Sequence, residues 1–116
     1  MELRILEFIG PRCIIKEDGQ RIYEKIHPVL SEHRTATLDF EGVTQFASPF
    51  FNFSIGQLLK DITEEDLRRH LQVKNLVPDG ELVIKRVIEN ASRYYKDVDY
   101  RKIVDSILEQ QAKESE

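Results

Sequence analysis

The side chains of this sequence most open to chemistry are Ser48, the single thiol Cys13 and the imidazoles His27, His33 and His70. A serine nucleophile needs an adjacent base and an acid that orients it, and no nucleophile elbow surrounds Ser48. Ser48 stands before Pro49, and the pair reads as a helix start. Serine caps the first free amides, and proline at the first helical position has no needed donor to lose. A lone cysteine forms neither an internal disulfide nor a multi-cysteine zinc site, so Cys13 is expected to be structural. His27 and His33 miss the i, i+4 pairing of metal-binding helices, and no metal or cofactor is expected. No paired acid and base stands out, so the chain is not expected to be an enzyme. Asp39 ends an expected strand, where it either bonds loop amides or contacts a ligand or partner.

Short elements must hold these residues. The apolar run 3–9 ends at Gly10-Pro11 and reads as a strand. From about 17 to 33, Ile22, Ile26, Val29, Leu30 and His33 share one helical stripe, with Pro28 expected to kink it. Residues 35–40 favour a strand, and Glu41-Gly42-Val43-Thr44 makes the turn that follows. After Ser48, Phe51, Ile55, Leu58, Leu59 and Ile62 recur at helical spacing. Phe50 and Phe53 widen that apolar surface almost all the way round, so the helix is deeply buried or partly exposed as a docking face. Thr63-Glu64-Glu65-Asp66 resembles a capping box and opens a short helix to about His70. Residues 71–76 alternate as a half-buried strand. Asp79 is placed to cap a helix over 81–95 that carries Val83, Val87, Ala91 and Tyr94 on one side. Asp97-Val98-Asp99 interrupts. Tyr100, Ile103, Val104, Ile107, Leu108 and Gln111 then form an amphipathic stripe that packs on its own domain or makes a homodimer or partner interface.

The bulk numbers narrow the class. A chain of 116 residues fits one domain. With 41% hydrophobic and 33% charged residues it reads as globular rather than disordered. A net charge of −4 with scattered Lys and Arg argues against general nucleic-acid binding. No apolar run approaches the ~20 residues that span a bilayer, so no membrane is expected. The first residues lack a basic segment before an apolar stretch, and a cytoplasmic location is the default.

Leu38-Asp39-Phe40-Glu41-Gly42-Val43, followed by Phe46, Ser48, Phe50 and Phe51, resembles the STAS-like family of unknown function. That family is related to the STAS domains of sulfate transporters and anti-sigma-factor antagonists. The resemblance runs from about residue 3 to 88. It implies an α/β fold, a small mixed sheet of three to four strands covered by helices. Residues 1–90 would form that domain and 91–116 a C-terminal helical extension.

The resemblance also implies a regulatory binding module in bacterial partner switching, docking another protein such as a histidine-kinase-like ATPase or an anti-sigma factor. Asp39, Phe50 and Phe53 would carry the contact. In the antagonists a serine in an Asp-Ser-Ser-Gly-like turn is phosphorylated, which makes Ser48 a candidate phosphosite, at a helix start whose free amides and dipole favour a phosphate. Here Ala47 replaces the acid, Ser48 matches the first serine, Pro49 falls on the usual acceptor and Phe50 on the glycine. The alternative reading is a sensor of a small anion or nucleotide, although no Gly-rich phosphate loop accompanies the motif.

Overall fold

The computed structural model describes the backbone of residues 1–96 and 98–114, and the side chains of residues 1–96 and 102–111. In chain order, strand β1 (Glu2–Arg4) runs into one helical turn, α1 (Ile5–Phe8), and then β2 (Arg12–Cys13). Helix α2 (Lys16–Ser31) leads to strands β3 (Ala36–Asp39) and β4 (Gln45–Phe46). Helix α3 (Ser48–Ser54), a 3-10 stretch (Gly56–Lys60) and α4 (Glu64–His70) precede β5 (Leu71–Lys74). Helices α5 (Pro78–Lys96) and α6 (Val98–Glu114) follow.

Parallel strands need long crossovers, and the helices between these strands supply them. β3 is the middle strand of a parallel sheet in the order β1-β3-β5, with Leu38 level with Leu3 on one side and Val73 on the other. β2 and β4 form a separate parallel pair, Arg12 to Gln45 and Cys13 to Phe46. The expected α/β architecture with a small helix-covered sheet is present, its strands divided three and two and every pair parallel.

The core follows the helical stripes. Ile22, Ile26, Val29 and Leu30 of α2 are buried with Leu38, Phe40, Phe50, Phe51, Ile55, Leu58, Leu67 and Val87. Each such side chain contributes roughly 1.5–3 kcal/mol when fully buried. Among the described residues, no helix is long and apolar enough to cross a membrane.

Several expected boundaries move. Residues 3–9 do not form one strand, because the chain turns helical at Ile5, where Ile9 N–H donates to Ile5 O at 2.8 Å. Arg4 and Glu7 bridge that turn at 2.9 Å. Ile5 is buried while Leu6 and Glu7 are exposed, a pattern no alternating strand would give. The apolar helix opening at Ser48 breaks after Ser54. Gly56 there packs so closely on α5 that a β-carbon would lie 3.2 Å from Val87 Cγ1. α5 starts at Pro78, so Asp79 lies in its first turn rather than before it. α5 runs unbroken through residue 90 and on to Lys96. The expected break at Asp97 and the Tyr100 side chain lie outside the described residues.

Candidate functional site

The turn that carries the Leu38–Val43 motif is built by its own polar groups. Asp39 ends β3, and its Oδ1 accepts from Glu41 N–H at 3.0 Å and from Asn75 Nδ2 at 2.9 Å. The Asn75 hydrogen bond, then the Glu41 amide, hold the Asp39 carboxyl below its ordinary value, with Lys74 and Arg4 adding positive charge. Phe40 N–H donates to Lys74 O, and Val43 N–H closes the turn on Phe40 O, both at 3.0 Å. Gly42 at φ 86° supplies the left-handed residue this turn requires. Asp39 is buried, so its carboxylate fixes the loop instead of facing a partner. Around it the cations are also engaged, Lys74 with Glu2 at 2.5 Å and Arg4 with Glu7.

β4 delivers the chain to α3. Ala47 N–H donates to Cys13 O at 2.9 Å, which carries the β2–β4 pairing one residue further. Ala47 is therefore the extended cap residue, and Ser48 is the first helical residue instead of the cap. Ser48 is exposed and makes no side-chain cap hydrogen bond.

Helix α3 carries no charged side chain, and its three phenylalanines divide between two environments. Phe50 and Phe51 are fully buried, edge to face with centroids 5.3 Å apart, and Phe51 also meets Phe40 and Phe46. The expectation that Phe50 contacts a partner is corrected, because it has no exposed surface. Helix α2 covers it through Gly19, where a β-carbon would stand 2.4 Å from Phe50 O. Phe53 is different, with 39% of its surface exposed.

Phe53 sits where two surfaces meet. On the α2 side it touches Gly19, with Lys16 Nζ 6.0 Å from its ring centroid and Ile15, 51% exposed, one turn before Gly19. On the other side it lines a groove of about 400 Å³ with Asn52, Gly56, Ala91, Tyr94 and Leu108. Tyr94 donates to Asp105 Oδ1 at 2.5 Å, joining α5 to α6 along that groove. Gln57 Nε2 donates to Phe53 O and, at 2.7 Å, to Gln20 Oε1, which fixes the α3 end against α2.

A family model described as a STAS-like domain of unknown function (DUF4325) matches residues 18–81, more than half of the chain. The chain belongs to this family. The match runs from the first turn of α2 into the first turn of α5 and includes Asp39, Ser48 and Phe53. Comparison with curated proteins and with solved structures found no match.

Other polar groups of this STAS-like domain also come together. His27 Nε2 lies 2.8 and 3.1 Å from the Asp61 carboxylate oxygens and 3.4 Å from Ser31 Oγ. A serine triad needs the acid on one ring nitrogen and the serine on the other. Here both share Nε2. Cys13 is buried, and desolvation, helped by the negative charge of Asp18, pushes its thiol up to about 12, so it holds no reactive thiolate. Glu64 is engaged with Arg68, Lys96 and Ser92.

The fold also joins His33, Asp66 and His70, whose ligand atoms all lie within 4.8 Å of one another. Histidine spacing along the sequence missed this group. The i, i+4 relation of Asp66 and His70 was legible on α4, but His33 reaches them only because β3 and β5 are neighbours.

Proposed function

We propose that this STAS-like domain is a non-enzymatic regulatory module that docks another protein through the surface around Phe53. The observation that carries the reading is the exposed Phe53 ring, on a helix whose neighbouring phenylalanines are fully buried. Exposed apolar surface next to a groove marks contact sites, and aromatic anchors at such sites carry a large share of binding energy. Ile15 and Lys16 extend the surface on one side and Leu108 on the other. Family membership supports a partner of the histidine-kinase-like ATPase or anti-sigma-factor class, in a bacterial cytoplasmic partner-switching pathway. Phosphorylation of the exposed Ser48 is a second layer of the same reading. It would add about −1.5 to −2 charge at the start of α3, and mass spectrometry of protein from its native host would detect it.

Ile103 and Ile107, one turn apart on α6, are both exposed. They favour a further contact with a second copy of the chain. The sensor reading gains no comparable support, because the cations Arg4 and Lys74 at the carboxyl ends of β1 and β5 are paired with Glu7 and Glu2.

The test is co-purification from the native host with the parent chain, Phe53→Ser and Leu82→Ser. Leu82 is 61% exposed on α5, about two turns from the groove. An anchor contact of about 2 kcal/mol corresponds to roughly thirtyfold weaker retention for Phe53→Ser. Leu82→Ser should retain the partner as the parent does. Equal retention by all three chains would refute the reading.

A further inference from the structure

Helix α2 ends in a wrapped motif. His33 N–H donates to Leu30 O and Arg34 N–H to Val29 O, both at 3.0 Å. This ending places a left-handed residue just past the cap, where glycine is preferred because a β-carbon is disfavoured there. The residue is His33, at φ 60°. The other described non-glycine residue with positive φ is Asn75, also at 60°, whose side chain holds Asp39. A disfavoured backbone kept at one position points to a use for the side chain it carries.

The His33 side chain is directed at α4. Its ring meets that of His70 edge-on, with centroids 5.9 Å apart. Asp66 stands one turn before His70, on the same face. α4 has three acids in its first turn and three bases in its last. Arg68 pairs with Glu64 at 3.0 Å and Arg69 with Glu65 at 2.9 Å. Asp66 is left out of this pattern. Among the described residues, no side-chain hydrogen bond or ion pair engages the Asp66 carboxylate, His33 or His70. The backbone amide of Asp66 donates to the Thr63 cap, which leaves its carboxylate free.

We propose that His33, Asp66 and His70 bind a divalent transition-metal ion of the zinc class. Two imidazole nitrogens and one carboxylate oxygen suit zinc, whereas calcium and magnesium prefer all-oxygen sites. Zinc bonds to such donors at about 2.0–2.2 Å, which puts tetrahedral donors roughly 3.3 Å apart. The present separations, within 4.8 Å, close to that by side-chain rotation, and His33 is exposed while the other two are half-buried. A fourth position is left for water or a ligand from another molecule. The site lies where β3 and β5 begin, beside the Ala36–Leu71 register pair. Zinc there ties the α2–β3 junction to the α4–β5 junction, at the opposite end of the sheet from Asp39 and Asn75. The site is independent of the Phe53 surface.

The probe is zinc alone, added to the full chain and to His33→Gly, His70→Ala and His27→Ala. Glycine at position 33 removes a ligand while suiting the left-handed backbone, so His33→Gly should melt no lower than the parent without zinc. Zinc at about 100 times its Kd should raise the melting temperature of the parent and of His27→Ala by about 10 °C. Magnesium should not. Titration should show one zinc per chain, and His33→Gly and His70→Ala should lose the shift. No shift in the parent, or an equal shift in all four chains, would overturn the proposal.

Discussion

Asp39 is the residue on which the motif turn closes. Its carboxyl is held below its ordinary value by Asn75 and the Glu41 amide. The folded state therefore favours the ionised form, and the stability this contributes is full above the ordinary carboxylate value of about 3.9. It is lost as pH falls from there through the lower folded value. Asp39→Asn should melt below the parent at neutral pH, and thermal melts should show the gap narrowing as the pH drops from about 5 to about 2. A gap that stays constant over that range would exclude a charge effect. The sequence made Asp39 legible as a strand-end residue but left loop bonding and partner contact open. The partner that decides between them, Asn75, belongs to a different strand end. Phe50 and Phe53 show a related limit. Both widen the same apolar helix, and only the covering helix distinguishes the buried ring from the exposed one.

At the scale of elements, α2 and α3 are locked by the absence of a side chain. Gly19→Ala in an ordinary helix interior would gain about 1 kcal/mol. Here the new β-carbon would stand 2.4 Å from Phe50 O and 3.0 Å from Phe53 Cβ. Overpacking of this kind costs about 1–3 kcal/mol, and with a backbone oxygen in the way it outweighs the propensity gain. Denaturant unfolding should show Gly19→Ala less stable than the parent, and a variant as stable or more stable would contradict the close packing. Much at this scale was legible. The stripe of Ile22, Ile26, Val29 and Leu30 is buried as its spacing required. Thr63 caps α4, accepting from Asp66 N–H at 3.1 Å. The helical turn Ile5–Phe8 was not, because so short an apolar run has no period that separates strand from helix. The close packing at Gly56, just past the break of the second apolar helix, was hidden for another reason, since its partner is the distant Val87.

Across the whole molecule, the parallel order β1-β3-β5 sets what meets what. It places the Asp39 turn at one end of the sheet and the His33–Asp66–His70 group at the other. Neither juxtaposition can be read along the chain, whereas the family pattern from Leu38 to Phe51 could be, because it is local. The Phe53 surface also depends on tertiary structure: α2 supplies one side and the α5–α6 pair the other. The central claim is that this combined surface takes a partner. Amide hydrogen exchange on the full chain, free and with its co-purified partner, tests it most directly. The account predicts added protection at residues 15–19 and 50–57 and along α6, with α4 unchanged. Added protection confined to α4, or to the turn at residues 39–43, would contradict it.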